Sequence, residues 1–187
     1  MIKYRRVGDI MDKLNITSCV VGDLGCNCYL ISKGNYALLV DPGDDFDKIV
    51  ELIGDKNLVG ILITHGHFDH VGALDEVVSK YNVPVYRYSN LDEGEVKIDK
   101  FKLEVIYTPG HLMDCVTYYF REDAIMFTGD FLFYDTIGRC DLVGSDYNEM
   151  KISINKIKNY ADDIVIYPGH GKSTSLWREK RYNPYFK

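Results

Sequence analysis

Basic charge is in short supply. The 187-residue chain carries 22 Lys and Arg against 28 Asp and Glu, a net charge of −6, and a surface of that sign offers no general pull on phosphate backbones or anionic lipid. No local basic run reverses this, so neither nucleic acid nor a membrane surface is expected as a partner. Long apolar runs are missing too: none approaches the ~18 residues that a bilayer-spanning helix needs. Near the start, Lys3, Arg5 and Arg6 are followed by Asp9, Asp12, Lys13 and Asn15, where a secretory signal requires its apolar stretch. Met11-Asp12-Lys13 reads like a second start, which would make residues 1–10 a dispensable extension. The five cysteines (Cys19, Cys26, Cys28, Cys115 and Cys140) are odd in number and show no paired spacing. That favours buried thiols in a reducing compartment, with the cytoplasm as the expected location. Only 5 prolines, in a chain 46% hydrophobic and 27% charged, exclude disordered and collagen-like classes. A chain of this size buries roughly 70% of its unfolded surface. One domain over residues 1–187, built on one principal core, is the expectation.

What is present is an interleaving of short β-type runs and amphipathic stretches. Residues 28–31, 37–40 and 58–63 read as strands, bounded by Gly, Asp or Thr. Between the last two lies a helix that Asp44 or Asp45 can cap. Phe46, Ile49, Val50 and Ile53 line one stripe of it, and Gly54 can end it. Residues 71–81 read as a second helix, stopped by Asn82 and Pro84; residues 85–88, 101–107, 116–120 and 124–127 read as strands. A long helix over 147–160 and a last strand over 164–167 complete the series. Val96 and Ile98 suit an interface as well as a core. The alternation points to an α/β or α+β sheet protein.

Histidine carries the functional signal. The chain has five, and three fall within six positions, His65-Gly66-His67-Phe68-Asp69-His70. The other two, His111 and His170, each follow a strand-like run and a Pro-Gly pair, and Asp130 likewise ends the run 124–129. The stretches 105–111 and 165–170 resemble each other, a hint of a duplicated strand-then-loop unit. Side chains that leave the same ends of strands meet at one sheet edge, so all five histidines are expected in one cleft.

Imidazole nitrogens and carboxylate oxygens are ligands for zinc and similar ions. Five histidines with Asp69 and Asp130 suffice for two such cations. In a tight extended loop, alternate residues of the 65–70 string can face one ion while the next two turn to a second, and Asp130 can bridge both. A pair of ions about 3.5–4 Å apart holds a hydroxide between them and polarises the oxygen of a carbonyl or phosphoryl group. Asp41, between a strand and Pro42-Gly43, suits a turn or the orientation of a ligand histidine.

These pieces resemble the metallo-β-lactamase superfamily, and within it the short glyoxalase II-like hydrolases. The matching segments are 27–30, 40–43, 64–72, 108–111, 127–130, 138–141 and 168–171, with Glu179 and Asn183-Pro184 towards the end. The resemblance implies an α+β fold, a four-layer αββα sandwich of two mixed β-sheets. It implies His65, His67 and His111 on a first metal, Asp69, His70 and His170 on a second, and Asp130 between them. The metals implied are two divalent ions, zinc first, with iron or manganese as alternatives. Asp130 stands where one β-lactamase branch has cysteine, so no sulfur ligand is implied. Cys140 sits where relatives often carry Thr or Ser, and reads as a small buried apolar residue.

The activity implied is hydrolysis of a small-molecule thioester or ester by a metal-bridging hydroxide, with Asp69 and Asp130 as catalytic groups. Arg139, Lys172 and Arg178 are the candidates for an anionic substrate, with Tyr134 and Trp177 as walls. Only residues 173–187 follow the last histidine, where full-length glyoxalase II carries a helical domain that helps hold glutathione. Two further readings stand beside this one: an iron-dependent oxidation of glutathione persulfide, as in relatives with the same string, and a metal-binding protein without turnover.

Overall fold

The computed structural model describes residues 13–187; the expected 1–10 extension and the Lys3, Arg5 and Arg6 leader lie outside the described residues. Strands β1 (Asn15–Val21), β2 (Cys26–Lys33) and β3 (Tyr36–Val40) form an antiparallel meander. Helix α1 (Phe46–Ile53) then returns the chain to β4 (Asn57–Leu62), parallel to β3. Helices α2 (Phe68–Val71) and α3 (Leu74–Tyr81) lead to β5 (Val85–Tyr86), parallel to β4. This closes a five-stranded sheet in sequence order.

A second meander follows: β6 (Gly94–Ile98), β7 (Phe101–Tyr107), β8 (Val116–Phe120) and β9 (Ile125–Gly129). The small hairpin of β10 (Leu132–Phe133) and β11 (Thr136–Ile137) comes next, then α4 (Tyr147–Ile157). Strand β12 (Val165–Pro168) runs parallel to β9, and β13 (Thr174–Ser175) and α5 (Leu176–Tyr182) finish the fold. The second sheet has the order β13-β12-β9-β8-β7-β6.

Period-2 alternation stacks these sheets face to face. On β2, Cys26, Cys28 and Leu30 face a cluster formed with Ile49 and Ile53 of α1 and Val77 of α3, while Tyr29 and Ile31 point the other way. The second sheet answers with Phe101, Leu103 and Val105 of β7 and Val116, Tyr118 and Phe120 of β8. Its outer side, with Ile106, Tyr119 and Met126, packs on Met150, Ile154 and Ile157 of α4 and on Leu176 of α5. The layers therefore run helix, sheet, sheet, helix, the expected αββα sandwich. Instead of one principal core, the apolar burial is divided into three slabs, because each sheet is covered on both faces. No helix among the described residues is long and apolar enough to cross a membrane.

Several elements differ from the sequence expectation. Strand β1 is an edge strand whose residues are mostly exposed, so it shows no apolar stripe. In β6, Val96 and Ile98 do alternate with charges, and both pack into the slab between the sheets; that makes them core. The expected helix over 71–81 begins as the separate turn α2 and restarts at Leu74. Gly43 is pressed onto α2 so closely that a β-carbon there would lie 1.8 Å from the Asp69 carbonyl oxygen. Asp45 occupies the cap position of α1, yet its side chain does not cap: it accepts from the Gly22 N–H and the Lys48 ammonium. Helix α5, absent from the sequence reading, is capped by Ser175, whose hydroxyl accepts the Arg178 N–H.

The slab between the sheets is the most demanding for packing. The Phe127 ring meets Tyr29, Tyr167 and Phe120 at centroid distances of 5.2, 5.3 and 5.9 Å. Phe127→Ala is expected to cost about 3–5 kcal/mol, whereas Val143→Ser, at a position 99% exposed, stays within about 0.5 kcal/mol. Urea unfolding of the two variants, with unchanged denaturant slopes, checks the contrast.

Candidate metal centre

Strand ends bring the chemistry together. Strands β3 and β4 run parallel in one sheet, as do β9 and β12 in the other, and the site residues lie just past the C-terminal ends of these strands. Asp41 follows β3, His65 follows β4, Asp130 follows β9 and His170 follows β12. His111 comes from the loop after β7. The 65–70 string is not extended throughout. His65 and His67 lie on the loop, whereas Asp69 and His70 sit on the single turn of α2, and that turn swings them to the other side of the site.

Two groups of donor atoms result, and a third, of His65, His70 and Asp130, spans them. Nε2 of His65 and Nε2 of His111 lie 3.1 and 2.9 Å from Nδ1 of His67. On the other side, Nε2 of His170 lies 3.3 Å from Nε2 of His70 and 3.2 Å from Oδ2 of Asp69. Asp130 lies between the groups: Oδ1 is 3.3 Å from His70 Nε2, and Oδ2 is 3.6 Å from both His111 Nε2 and His170 Nε2. All seven residues read from the sequence as ligands are thus in one place, with His65, His67 and His111 on one side and Asp69, His70 and His170 on the other.

Hydrogen bonding from behind fixes which nitrogen of each ring points inward. His70 Nδ1 donates to Asp41 Oδ2 at 2.8 Å, His111 Nδ1 to the Arg139 carbonyl at 2.9 Å, and His170 Nδ1 to the Gly25 carbonyl at 3.2 Å. The Thr64 hydroxyl donates to Asp41 at 2.6 Å, so its oxygen is left to accept from His65 Nδ1 at 3.1 Å. With Nδ1 turned outward, these four rings aim Nε2 at the centre, and that nitrogen is a free lone pair wherever the ring is neutral.

The electrostatics of the site ask for positive charge there. Burial drives the His65 pKa well down and lowers His67, keeping both neutral. Burial opposes the charged form of His70 as well, but the Asp41 and Asp130 carboxylates outweigh it and raise its pKa. At Asp130, burial resists ionisation, yet the protonated His70 ring 3.3 Å away holds its carboxyl at about 2. Without a cation, a proton on His70 is what balances the carboxylates.

A divalent metal fits better. His67 Nδ1 can give a proton fully to only one of His65 Nε2 and His111 Nε2, 3.1 and 2.9 Å away, so a lone pair among these three rings is left for a cation. Asp130 Oδ1 is buried and meets His70 Nε2 at 3.3 Å without a well-formed hydrogen bond, which leaves it lone-pair capacity for coordination. Gly169 keeps that space open: a β-carbon there would lie 2.3 Å from Asp130 Oδ1 and 2.6 Å from His70 Cε1. Nitrogen and carboxylate donors in this proportion suit zinc, iron or manganese.

Other expected residues are placed as follows. Asp41 lies directly behind His70, and its second oxygen accepts the Thr64 N–H at 2.8 Å. The exposed Arg139 guanidinium is paired with both oxygens of Asp141, and what it offers the site is its carbonyl. Two cations lie over the Tyr134 ring, Lys172 Nζ 3.5 Å and the Arg178 guanidinium 4.2 Å from its centroid. Arg178 also pairs with Asp135. Trp177, on α5, is half-exposed, with the Arg181 guanidinium 4.5 Å from its ring centroid. Cys140 is half-buried against the outer slab.

The sequence reading missed two contacts. Cys26 lies 3.6 Å from His70 Nδ1, and the Phe133 ring lies 6.2 Å from the His170 ring. Strand alternation could have placed Cys26 inward, but no sequence signal aims Phe133.

Because its pKa is raised, His70 carries a proton at neutral pH when no metal is bound, and a metal must displace it. Titration with zinc at pH 7.5 in buffers of differing ionisation enthalpy is expected to show release of about one proton from this site. Asp41→Asn, which removes the charge behind His70, is expected to weaken metal binding about 10- to 100-fold, measured by competition with a chromophoric chelator.

Comparison with known proteins agrees with the geometry. The family description "Metallo-beta-lactamase superfamily" matches residues 21–95 and 89–170. The probable metallo-hydrolase YqgX of Bacillus subtilis (strain 168) is 33% identical over 88% of this chain and 94% of its own length. Hydroxyacylglutathione hydrolase GloC of Haemophilus influenzae is 32% identical over 92% and 98%. Among solved structures, BLEG-1 B3 metallo-beta-lactamase superposes with a TM-score of 0.89 at 28% identity, covering 92% of this chain and 100% of its own. TTHA1623 in a di-iron-bound form gives 0.84 at 31%, covering 90% and 99%. With the family description matched across most of its length and its histidines and aspartates gathered at one edge of an αββα sandwich, the chain belongs to the metallo-beta-lactamase superfamily, a metallo-hydrolase superfamily.

Proposed function

We propose that the chain is a thioesterase of glyoxalase II-like type that works with two divalent ions, zinc in the first instance. The observation that carries the proposal is the gathering of His65, His67 and His111 on one side of Asp130 and of Asp69, His70 and His170 on the other. His65, His67 and His111 would hold one ion, Asp69, His70 and His170 the other, and Asp130 would touch both. Bound there, such ions supply Lewis acidity, bringing the pKa of water towards neutrality and polarising a carbonyl oxygen.

The chain's own residues then set the course of the reaction. Asp69 is partly open to solvent, and its Oδ2 lies 3.2 Å from His170 Nε2, so it can take a proton from the attacking water and pass it on. Asp130 holds negative charge at the centre across the working pH range, because its carboxyl stays ionised down to about 2. A thiol of ordinary pKa, about 8.5, leaves without strong help from a general acid, which suits a site whose remaining carboxylates are committed to histidines. Lys172 and Arg178, both over the Tyr134 ring, form a cationic wall suited to an anionic tail on the substrate. Similarity to GloC along nearly its whole length supports a thioester of a carboxylate-bearing thiol.

The test is thiol release from S-lactoylglutathione by the zinc-loaded protein, run beside oxygen uptake with glutathione persulfide and hydrolysis of the β-lactam nitrocefin. Thiol release is expected, abolished by a chelator and restored by zinc. Asp69→Asn is expected to lower kcat about 100-fold or more with the protein still folded. Oxygen uptake without thiol release would favour the iron-dependent persulfide reading, nitrocefin turnover alone would favour a lactamase, and no turnover of any substrate by a metal-loaded protein would favour a binding role.

A further inference from the structure

Glu179 and Asn183, part of the sequence resemblance, touch none of the donor atoms, yet the chain buries Glu179 completely, at 0% exposure. One carboxylate oxygen accepts the Thr174 hydroxyl; the other accepts the Asp135 N–H at 3.0 Å and the Asn183 side-chain amide at 2.9 Å. Asn183 also donates to the Thr136 carbonyl at 3.0 Å. All these donors are neutral, and a buried carboxylate among neutral donors carries a desolvation cost that an apolar side chain of the same volume would avoid. Filling space is therefore not its purpose. What it does hold is the tip of the β10–β11 hairpin, where Asp135 is in the left-handed region at φ 60°.

That hairpin is tied to the metal centre along its length. Asp130 stands at its entry; at its exit the Arg139 carbonyl holds His111, and the Phe133 ring faces His170. Next to Asp135 is Tyr134, the ring that carries Lys172 and Arg178. We propose that Glu179 is a positioning residue, holding the hairpin tip from beneath so that the cation-bearing ring of Tyr134 forms the wall that receives a substrate's anionic end. This rests on the thioesterase reading, since that wall matters to catalysis only if such a substrate is turned over.

Two variants of the metal-loaded protein test it. Glu179→Met keeps the volume and removes both acceptors. Glu179→Gln keeps an oxygen for Asp135 and Asn183, and its amide can donate to the Thr174 hydroxyl. With S-lactoylglutathione, Glu179→Met is expected to raise KM about fivefold at nearly constant kcat, while values for the neutral thioester S-ethyl thioacetate stay within about twofold and Glu179→Gln restores both. Hydrogen exchange at the Asp135 amide is expected to speed up about tenfold or more in the Met variant only. Equal loss on both substrates, or Asp135 exchange unchanged in the Met variant, overturns the proposal. If Glu179→Met does not fold, Tyr134→Leu must give the same selective rise in KM, and its absence overturns the proposal equally. A wild type inactive on both thioesters defeats the thioesterase reading, and with it the catalytic half of this inference, whereas the exchange measurement still decides the clamp.

Discussion

Four imidazoles are anchored from behind by oxygen, and the arrangement of the site follows from that. A neutral histidine has one proton and one lone pair, and whichever nitrogen finds an acceptor leaves the other bare. Asp41, Thr64, Gly25 and Arg139 supply the acceptors, two from side chains and two from carbonyls. The inward nitrogens then converge with Asp69 and Asp130 until donor atoms stand about 3 Å apart, an arrangement suited to a cation. Asp41 is central among the anchors. It holds His70 and Thr64 together, and through Thr64 it reaches His65, so one buried carboxylate orients a ring in each donor group.

The sandwich makes this convergence possible. Each sheet is covered on both faces, which frees only its edges for polar work, and parallel pairing of β3 with β4 and of β9 with β12 sends the productive loops to the same edge. Side chains from both sheets meet there because the slab between them holds the sheets in register. The α2 turn adds a local device: by coiling after His67, it separates Asp69 and His70 from the two histidines before them, so a six-residue string serves both sides of the site.

Much of this was legible in the sequence, for identifiable reasons. Ligand side chains are chemically distinctive and sit beside strand ends marked by Pro-Gly or Gly-Asp, so His111, His170 and Asp130 could be placed with the 65–70 string before any coordinates. Buried strands such as β3 and β8 announce themselves by apolar runs. Edge strand β1 does not, since exposure removes the pattern, and α5 was missed because its buried positions include a charged residue, Glu179. Roles played by the backbone leave no trace in residue type. Arg139 was read for its guanidinium, yet its carbonyl is what touches the site. The partners of a surface cation are hidden in the same way: nothing in the sequence says that Arg139 pairs with Asp141 or that Lys172 lies over Tyr134.

The central claim is that one edge of the sandwich holds two divalent cations with Asp130 between them. Anomalous diffraction from crystals of the zinc-loaded protein, recorded above and below the zinc edge, tests it most directly. The account predicts two peaks per chain, one among His65, His67 and His111 and one among Asp69, His70 and His170, with Asp130 in contact with both. A single peak at full zinc loading, or density away from these seven side chains, would contradict it.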